Sequence, residues 1–176
     1  MTVLGVEIGG TKLQAALGTR DGEILELKSV RANRMRGAAG ICEQIEKLIG
    51  SALAAGAERG TPEAIGVGFG GPVDTAAGTV LVSHQVSGWE NFALRDWFEE
   101  RFGLPCRLEN DSNAAGWAEY RLGAGQSCRH MIYMNIGSGI GGALVIDGAL
   151  HNGQGRGAGE IGHMWVPDFW EGVDRP

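Results

Sequence analysis

The chain has 176 residues, 43% of them apolar and 20% charged, an ordinary globular composition that excludes a disordered or fibrous protein. A net charge of −6 without any Lys/Arg block argues against a nucleic-acid or anionic-membrane surface; Arg31, Arg34 and Arg36, the nearest basic cluster, read as solvated. No apolar run is long enough to span a bilayer and no signal-peptide core precedes the first predicted strand, so a cytoplasmic protein is expected, with neither membrane nor nucleic acid as partner.

Taken in order, the chain opens with three predicted strands, about residues 2–8, 13–18 and 23–30, forming an antiparallel meander. The first bend is Gly9-Gly10-Thr11-Lys12. Paired glycines suit positive φ and leave the bend's N–H groups uncovered, while Thr11 and Lys12 add a hydroxyl and a cation. An ordinary tight turn and a phosphate cradle both fit this tetrapeptide. Arg20-Asp21-Gly22 makes the second turn. From Ala38 to about Ala57, Ile41, Ile45, Leu48, Ile49, Ala52 and Leu53 recur at helical steps, the stripe of an amphipathic helix lying on the meander.

Ala64 to Phe69 reads as a buried fourth strand running into Gly70-Gly71-Pro72-Val73-Asp74, and this strand-helix-strand order predicts an α/β fold. A loop follows, with a short strand at Thr79 to Val82 and a surface turn at Ser87-Gly88-Trp89. Trp89 fits two roles, a platform for a sugar ring or a cover on the edge of the core. Leu94 to Phe102 has helical spacing, and Pro105 to Leu108 makes a brief strand.

The run Glu109-Asn110-Asp111-Ser112-Asn113 then falls between that strand and a helix predicted from Ala114 to about Leu122. Strand carboxyl ends are where α/β sheets bind ligands, and one polar residue is expected as a helix cap. The run exceeds what a cap needs, which makes Asp111 a candidate for catalysis or binding.

Met131 to Ile136, Gly137-Ser138-Gly139-Ile140-Gly141-Gly142 and Ala143 to Ile146 repeat the opening plan, and Asp147-Gly148 before Ala149-Leu150 repeats its second turn. Strand, glycine bend, strand, Asp-Gly turn and strand occur twice, an internal duplication that predicts two lobes with phosphate-facing hairpins. Glu160-Ile161-Gly162-His163 leads into a predicted short strand, Met164-Trp165-Val166; Glu160 and His163 are either polyol ligands or ordinary solvated residues.

The glycine patterns fail as a dinucleotide fingerprint, because strand-forming sequence or proline follows them where a helix should open, and no GK[ST] of a Walker A loop occurs. Cys42, Cys106 and Cys128 show no CxxC spacing and read as free buried thiols.

Glu7-Ile8-Gly9-Gly10-Thr11-Lys12, Gly70-Gly71-Pro72-Val73-Asp74, Glu109-Asn110-Asp111-Ser112-Asn113-Ala114-Ala115, Gly137-Ser138-Gly139-Ile140-Gly141-Gly142 and Gly159-Glu160-Ile161-Gly162-His163-Met164 together resemble the ROK family of sugar kinases and sugar-responsive repressors. The resemblance covers residues 2 to about 166. It implies the actin-like, hexokinase-type ATPase fold of two ribonuclease H-like lobes, here residues 1–122 and the incomplete start of a second lobe, 123–176. ATP and Mg²⁺ are the implied cofactors and a hexose the substrate.

By the resemblance, Gly9, Gly10, Thr11 and Lys12 form one phosphate loop and Gly137, Ser138 and Gly139 the other. Glu7 stands near the magnesium, directly or through water. Asp111 is the base that takes the proton of the attacking hydroxyl, and Asn110, Gly71, Glu160 and His163 hold the sugar. The family's zinc cysteines do not follow His163 here, so no zinc is expected. No helix-turn-helix precedes the first strand, which disfavours a repressor.

A second sheet without its covering helices would expose Ile132, Met134, Ile136, Leu144 and Ile146, which fits a fragment, a degenerate remnant or half of an intertwined oligomer, and a homo-oligomer is expected. The expected activity is glucokinase-like transfer of the ATP γ-phosphoryl to a hexose. The alternatives are a non-catalytic sugar-binding module or a truncated remnant.

Overall fold

The computed structural model describes residues 1–83, 85–137, 139–153 and 159–165. Three strands form the opening meander: β1 (Thr2–Ile8), β2 (Lys12–Thr19) and β3 (Ile24–Arg31). β1 and β2 pair antiparallel from Thr2↔Thr19 to Ile8↔Leu13, so Leu4, Val6 and Ile8 share one face with Leu13, Ala15 and Leu17. All six are buried.

The helix that covers this face is α1 (Gly37–Ala55), with Ile41, Ile45, Leu48, Ile49 and Ala52 buried along its inner stripe. Leu53, expected on that stripe, lies at its edge and is only partly buried.

The chain then returns beside β1 as β4 (Pro62–Phe69), parallel to it, and the pairing continues outward to β7 (Cys106–Asn110), parallel to β4. The resulting sheet has the order β3-β2-β1-β4-β7. Between β4 and β7 lie a two-residue hairpin, β5 (Val73–Asp74) with β6 (Thr79–Val80), and helix α2 (Leu94–Phe102), which buries Leu94 and Phe98. Trp89 is 1% exposed and packs edge-on against Phe69 and Phe92, with ring centroids 5.2 and 5.0 Å away. Its role as a core cover therefore stands, and the sugar-platform role falls: six-membered hydrocarbon neighbours already occupy the ring's surroundings.

Helix α3 (Asp111–Leu122) follows β7 without a loop, three residues earlier than the sequence suggests, because Asn110 takes the cap position. Strand β7 correspondingly runs to Asn110 and not to Leu108. The second sheet is β10 (Ala149–Leu150), β9 (Ile140–Ile146) and β8 (Met131–Ile136), in that order. Asp147 and Gly148, with φ of 51° and 79°, make the turn between β9 and β10, and Gly22, with φ of 88°, turns the chain at the corresponding place in the first meander.

Packing of α3 joins the two sheets. An added Cβ on Gly116 would come within 3.0 Å of the Tyr133 Cβ, so helix and second sheet meet at backbone distance.

Two expectations fail here. Ile161–His163 is a single 3₁₀ turn, and Met164, its extended C-cap, and Trp165 follow it without strand pairing, while Val166 lies outside the described residues. Cys42 and Cys106 are buried as expected, but Cys128 is exposed. Among the described residues, no helix is long and apolar enough to cross a membrane.

Candidate active site

Because β1, β4 and β7 run parallel, their carboxyl ends emerge side by side, with Ile8 level with Phe69 and Phe69 level with Asn110. The chain turns away at each of these ends, which leaves a crevice lined by backbone. Gly9, Gly70 and Asp111 are the first residues beyond the three strands. The Gly70 N–H donates to the Ile8 carbonyl at 2.9 Å, stitching the second end to the first. An added Cβ on Gly70 would lie 3.2 Å from Asp111 Oδ2 and 3.5 Å from the Gly9 Cα. Gly70 is thus the floor between the glycine bend and the Asp111 carboxylate, and only glycine leaves that floor open.

At the bend itself, the Gly9 N–H closes the hairpin on the Lys12 carbonyl at 3.0 Å, and the Thr11 carbonyl accepts from the Ala32 N–H at 2.9 Å. Neither Gly9 nor Gly10 has a positive φ, so the expected left-handed geometry is absent. The glycines are required for space: a Cβ on Gly9 would crowd the Lys12 carbonyl at 3.1 Å, and one on Gly10 would collide with the Gln85 side chain.

Beneath the bend, a recess of about 10 Å³ lined by Gly9, Gly10, Gly70, Ser83 and Trp89 has room for a water and not for a sugar ring. Lys12 Nζ sits 3.5 Å from Glu7 Oε2, both side chains about half exposed, so the cation expected at phosphate and the carboxylate expected at magnesium face each other across the hairpin.

Asn110 holds the start of α3 in two directions. Its Oδ1 accepts from the N–H groups of Ser112 and Asn113 at 3.0 and 3.1 Å, and its Nδ2 donates to the Gly71 carbonyl at 3.2 Å. The two expected sugar residues Asn110 and Gly71 therefore meet directly, and the cap fixes where Asp111 stands.

Asp111 is half-buried. Burial pushes its carboxyl above the ordinary aspartate range, partly offset by the hydrogen bonds that Ser112 donates to Oδ1 from its N–H (2.7 Å) and Oγ (3.4 Å). With Oδ1 so held, Oδ2 is the oxygen beside Gly70 and the crevice. A half-desolvated carboxylate with one oriented oxygen has the character of a general base.

The remaining predicted residues lie further out. Glu160 and His163 stand on the 3₁₀ turn, exposed, with the His163 N–H bonded to the Glu160 carbonyl at 3.0 Å. Gly159 and Gly162 press this turn against β9: a Cβ on Gly159 would lie 2.8 Å from the Gly142 carbonyl, and one on Gly162 would lie 2.5 Å from that of Ile140. No hydrogen bond among the described residues links Glu160 or His163 to Asn110 or Asp111.

Gly137 and Gly139 close their bend with a 2.8 Å hydrogen bond, and an added Cβ on either would meet nothing within 4 Å, so this backbone is open to a ligand. Ser138 lies outside the described residues.

Gln85 over Gly10 and the Glu109–Asn113–Asn152 contacts were not legible as site features; each depends on side chains from distant segments meeting.

Open backbone at the Gly137 bend suits the oxygens of a nucleotide's phosphates. Among the described residues, no group of three His, Cys, Asp or Glu side chains could hold a metal by itself. Magnesium commonly takes one or two carboxylates together with substrate phosphates and water, so Glu7 alone fits as the protein's share.

Parallel strands ending in a glycine bend and a half-buried aspartate, followed by a second hairpin of the same plan, define a mixed α/β fold with a duplicated hairpin. The profile of the ROK family matches residues 3–172, and the chain belongs to the ROK family. It is 35% identical to the glucokinase of Halalkalibacterium halodurans over 93% of this chain and 49% of that relative. To the beta-glucoside kinase of Klebsiella pneumoniae it is 31% identical, over 93% of this chain and 52% of the relative.

Among solved structures, the ROK family glucokinase from Streptomyces griseus in complex with glucose and AMPPNP superposes with a TM-score of 0.83 at 38% identity, covering 95% of this chain and 51% of that one. The chain therefore spans about half the length of the curated relatives it matches, and its fold is that of ROK hexokinase-type structures with the second lobe incomplete.

Proposed function

We propose that this chain carries the sugar and phosphate half of an ATP-dependent hexose kinase, glucokinase-like, with Asp111 as general base. The observation that supports it most directly is the convergence of Gly9, Gly70 and the half-buried Asp111 carboxylate at three adjacent strand ends. Residues 1–122 serve as the lobe that holds sugar and first phosphate bend, and 123–176 as the beginning of the second lobe. A soluble hexose is the partner, the cytoplasm the compartment and a homo-oligomer the assembly. Nucleic acid and membrane have no part.

Bound Mg-ATP would supply the phosphoryl group and most of the charge neutralisation, since a loose phosphoryl transition state asks the protein chiefly for positioning. The protein's share is then plain. Gly9, Gly10, Thr11 and Lys12 offer the first hairpin's donors, and Gly137, Ser138 and Gly139 the second's. Lys12 would take phosphate and Glu7 would be the protein's share of the magnesium site, directly or through water. Asn110 and the Gly71 backbone orient the sugar, Glu160 and His163 take its further hydroxyls, and Asp111 Oδ2 accepts the proton of the attacking hydroxyl, expected to be the 6-OH.

The exposed apolar face of the second sheet favours one other reading, a sugar-binding module that does not turn over by itself. The two are separated by ADP release from the chain with Mg-ATP and a panel of hexoses. Sugar-dependent release that drops about 10²–10⁴-fold in Asp111→Asn supports the base. Sugar binding without release from folded protein leaves the module, and neither binding nor release removes both.

A further inference from the structure

Two residues beyond Asp111, a second polar cluster joins the sheets. Glu109, the next-to-last residue of β7, carries its carboxylate toward Asn113 of α3. Asn113, on the first turn of α3 and 2% exposed, donates from Nδ2 to Glu109 Oε1 at 3.1 Å and to Asn152 Oδ1 at 3.0 Å. Asn152, in the segment leaving β10, donates back to Glu109 Oε2 at 3.4 Å. The three side chains close a triangle, and Glu109 Oε1 also accepts from the Asn110 N–H at 2.9 Å. A flanking link runs from Ser112 Oγ to Asn135 Oδ1 on β8, 3.2 Å apart.

The orientation of the Asn113 amide follows from its surroundings. Turned over, its carbonyl would face the Glu109 carboxylate and the Asn152 carbonyl, acceptor against acceptor. As it stands, Oδ1 is buried with no partner among the described residues, and that orphan acceptor is tolerated at a cost of the kind charge-assisted bonds offset. A buried amide kept at such a cost, tying the helix of Asp111 to a segment seven residues before Gly159, has more to do than fill space.

We propose that Glu109, Asn113 and Asn152 form a lock that holds residues 151–153, just after β10, against the start of the Asp111 helix. Asn113 and Asn152 are positioning residues. They set where the second lobe's sugar-facing turn sits relative to the base without touching sugar themselves. The sugar consequence rests on the kinase reading; the lock does not.

Amide hydrogen exchange in the full chain tests it. In Asn152→Ala, a partly exposed substitution that leaves the core intact, amides of residues 149–153 and 159–165 should exchange about tenfold faster or more, while those of β1 and β4 keep their rates. Asn113→Ala should do the same, and the double variant should add little to the larger single effect, since both break one network.

Glucose binding by calorimetry is the second readout. Kd should rise about three- to tenfold in Asn152→Ala with the unfolding midpoint nearly unchanged, whereas a merely structural role would move the midpoint and leave Kd alone. Wild-type exchange rates in folded Asn152→Ala would overturn the lock, and faster exchange with unchanged Kd would overturn its service to the sugar site. A wild-type chain that binds no hexose would defeat the kinase reading, leaving exchange to decide the lock.

Discussion

The two hairpins of the duplication occupy opposite environments. Aligned on their glycine bends, Leu4, Val6 and Ile8 of β1 correspond to Ile132, Met134 and Ile136 of β8, and Leu13 and Leu17 of β2 to Ile140 and Leu144 of β9. The chemical pattern is the same. Ile8 is 3% exposed and Ile136 is 75% exposed. What separates them is α1, which lies along the whole first face, while among the described residues the second carries just the short 3₁₀ turn, over Gly142 and Ile140, and leaves Ile132, Met134 and Ile136 exposed.

On the opposite face the second sheet is closed, with α3 packed on Ala143 and Val145, both buried. Alternation therefore encodes which face is apolar, and burial is conferred by whatever lies on it. The proposed chemistry is drawn from the finished sheet: Asp111, its cap Asn110 and the crevice floor at Gly70 all stand at the ends of strands packed against α1 and α2.

Core truncation should expose the asymmetry most strongly. Ile8→Ala removes methylenes from a full core beneath the glycine bend and should cost about 3 kcal/mol, read as a lowered urea midpoint. A cost below about 1 kcal/mol would mean that the first hairpin is no better supported than the second. Next in size is Gly116→Ala. The new methyl meets Tyr133 and Ala143 across the face of the second sheet that α3 covers, so about 1–3 kcal/mol of destabilisation is expected, with β8 and β9 losing exchange protection before β1 does.

Much of this was legible because it is local. Period-two alternation marks both hairpins and the 3.6-residue stripe marks α1, and each pattern is written in contiguous residues. Asp111 stands out because Asn110-Asp111-Ser112-Asn113 holds more polar groups than a cap can use. The start of α3 was misplaced since Asp, Ser and Asn all cap helices, and only the hydrogen bonds select Asn110.

Other features depend on meetings that no local pattern reports. The parallel order β1-β4-β7, which assembles the crevice, joins strands about forty to sixty residues apart. Gln85 over Gly10 and Asn152 beside Asn113 are of that kind too. Trp89 next to glycine looks the same in sequence whether it faces a ligand or a core.

Asp111 offers a smaller and signed effect within the better-covered lobe. Burial raises its folded pKa above the unfolded value, so the folded state binds more protons between the two. Its contribution therefore favours folding below the unfolded pKa and is lost as pH rises through the raised folded one. Asp111→Asn should accordingly unfold at a slightly higher urea concentration than wild type at pH 7, with the difference vanishing at pH 3. On the proposed kinase reading turnover should move the other way with pH, because Asp111 as base would work deprotonated: kcat/KM should fall as pH drops through a pKa above the ordinary aspartate range. A variant less stable than wild type at pH 7 would show that the carboxylate is held by its Ser112 bonds more than it is hindered by burial.

The smallest effect belongs to Ile136→Ala, the counterpart of Ile8→Ala at the same place in the repeat. With three-quarters of its surface already in water, the side chain leaves little contact behind, and the urea midpoint should correspond to a change within about 0.5 kcal/mol. The measurement is informative because the sequence pattern assigns the two isoleucines equal roles. A cost approaching that of Ile8→Ala would require that the β8–β9 face be covered in solution, by a second copy or by further polypeptide, and dilution would then distinguish the two: self-association makes the cost fall with protein concentration, while a covering segment in the same chain leaves it constant.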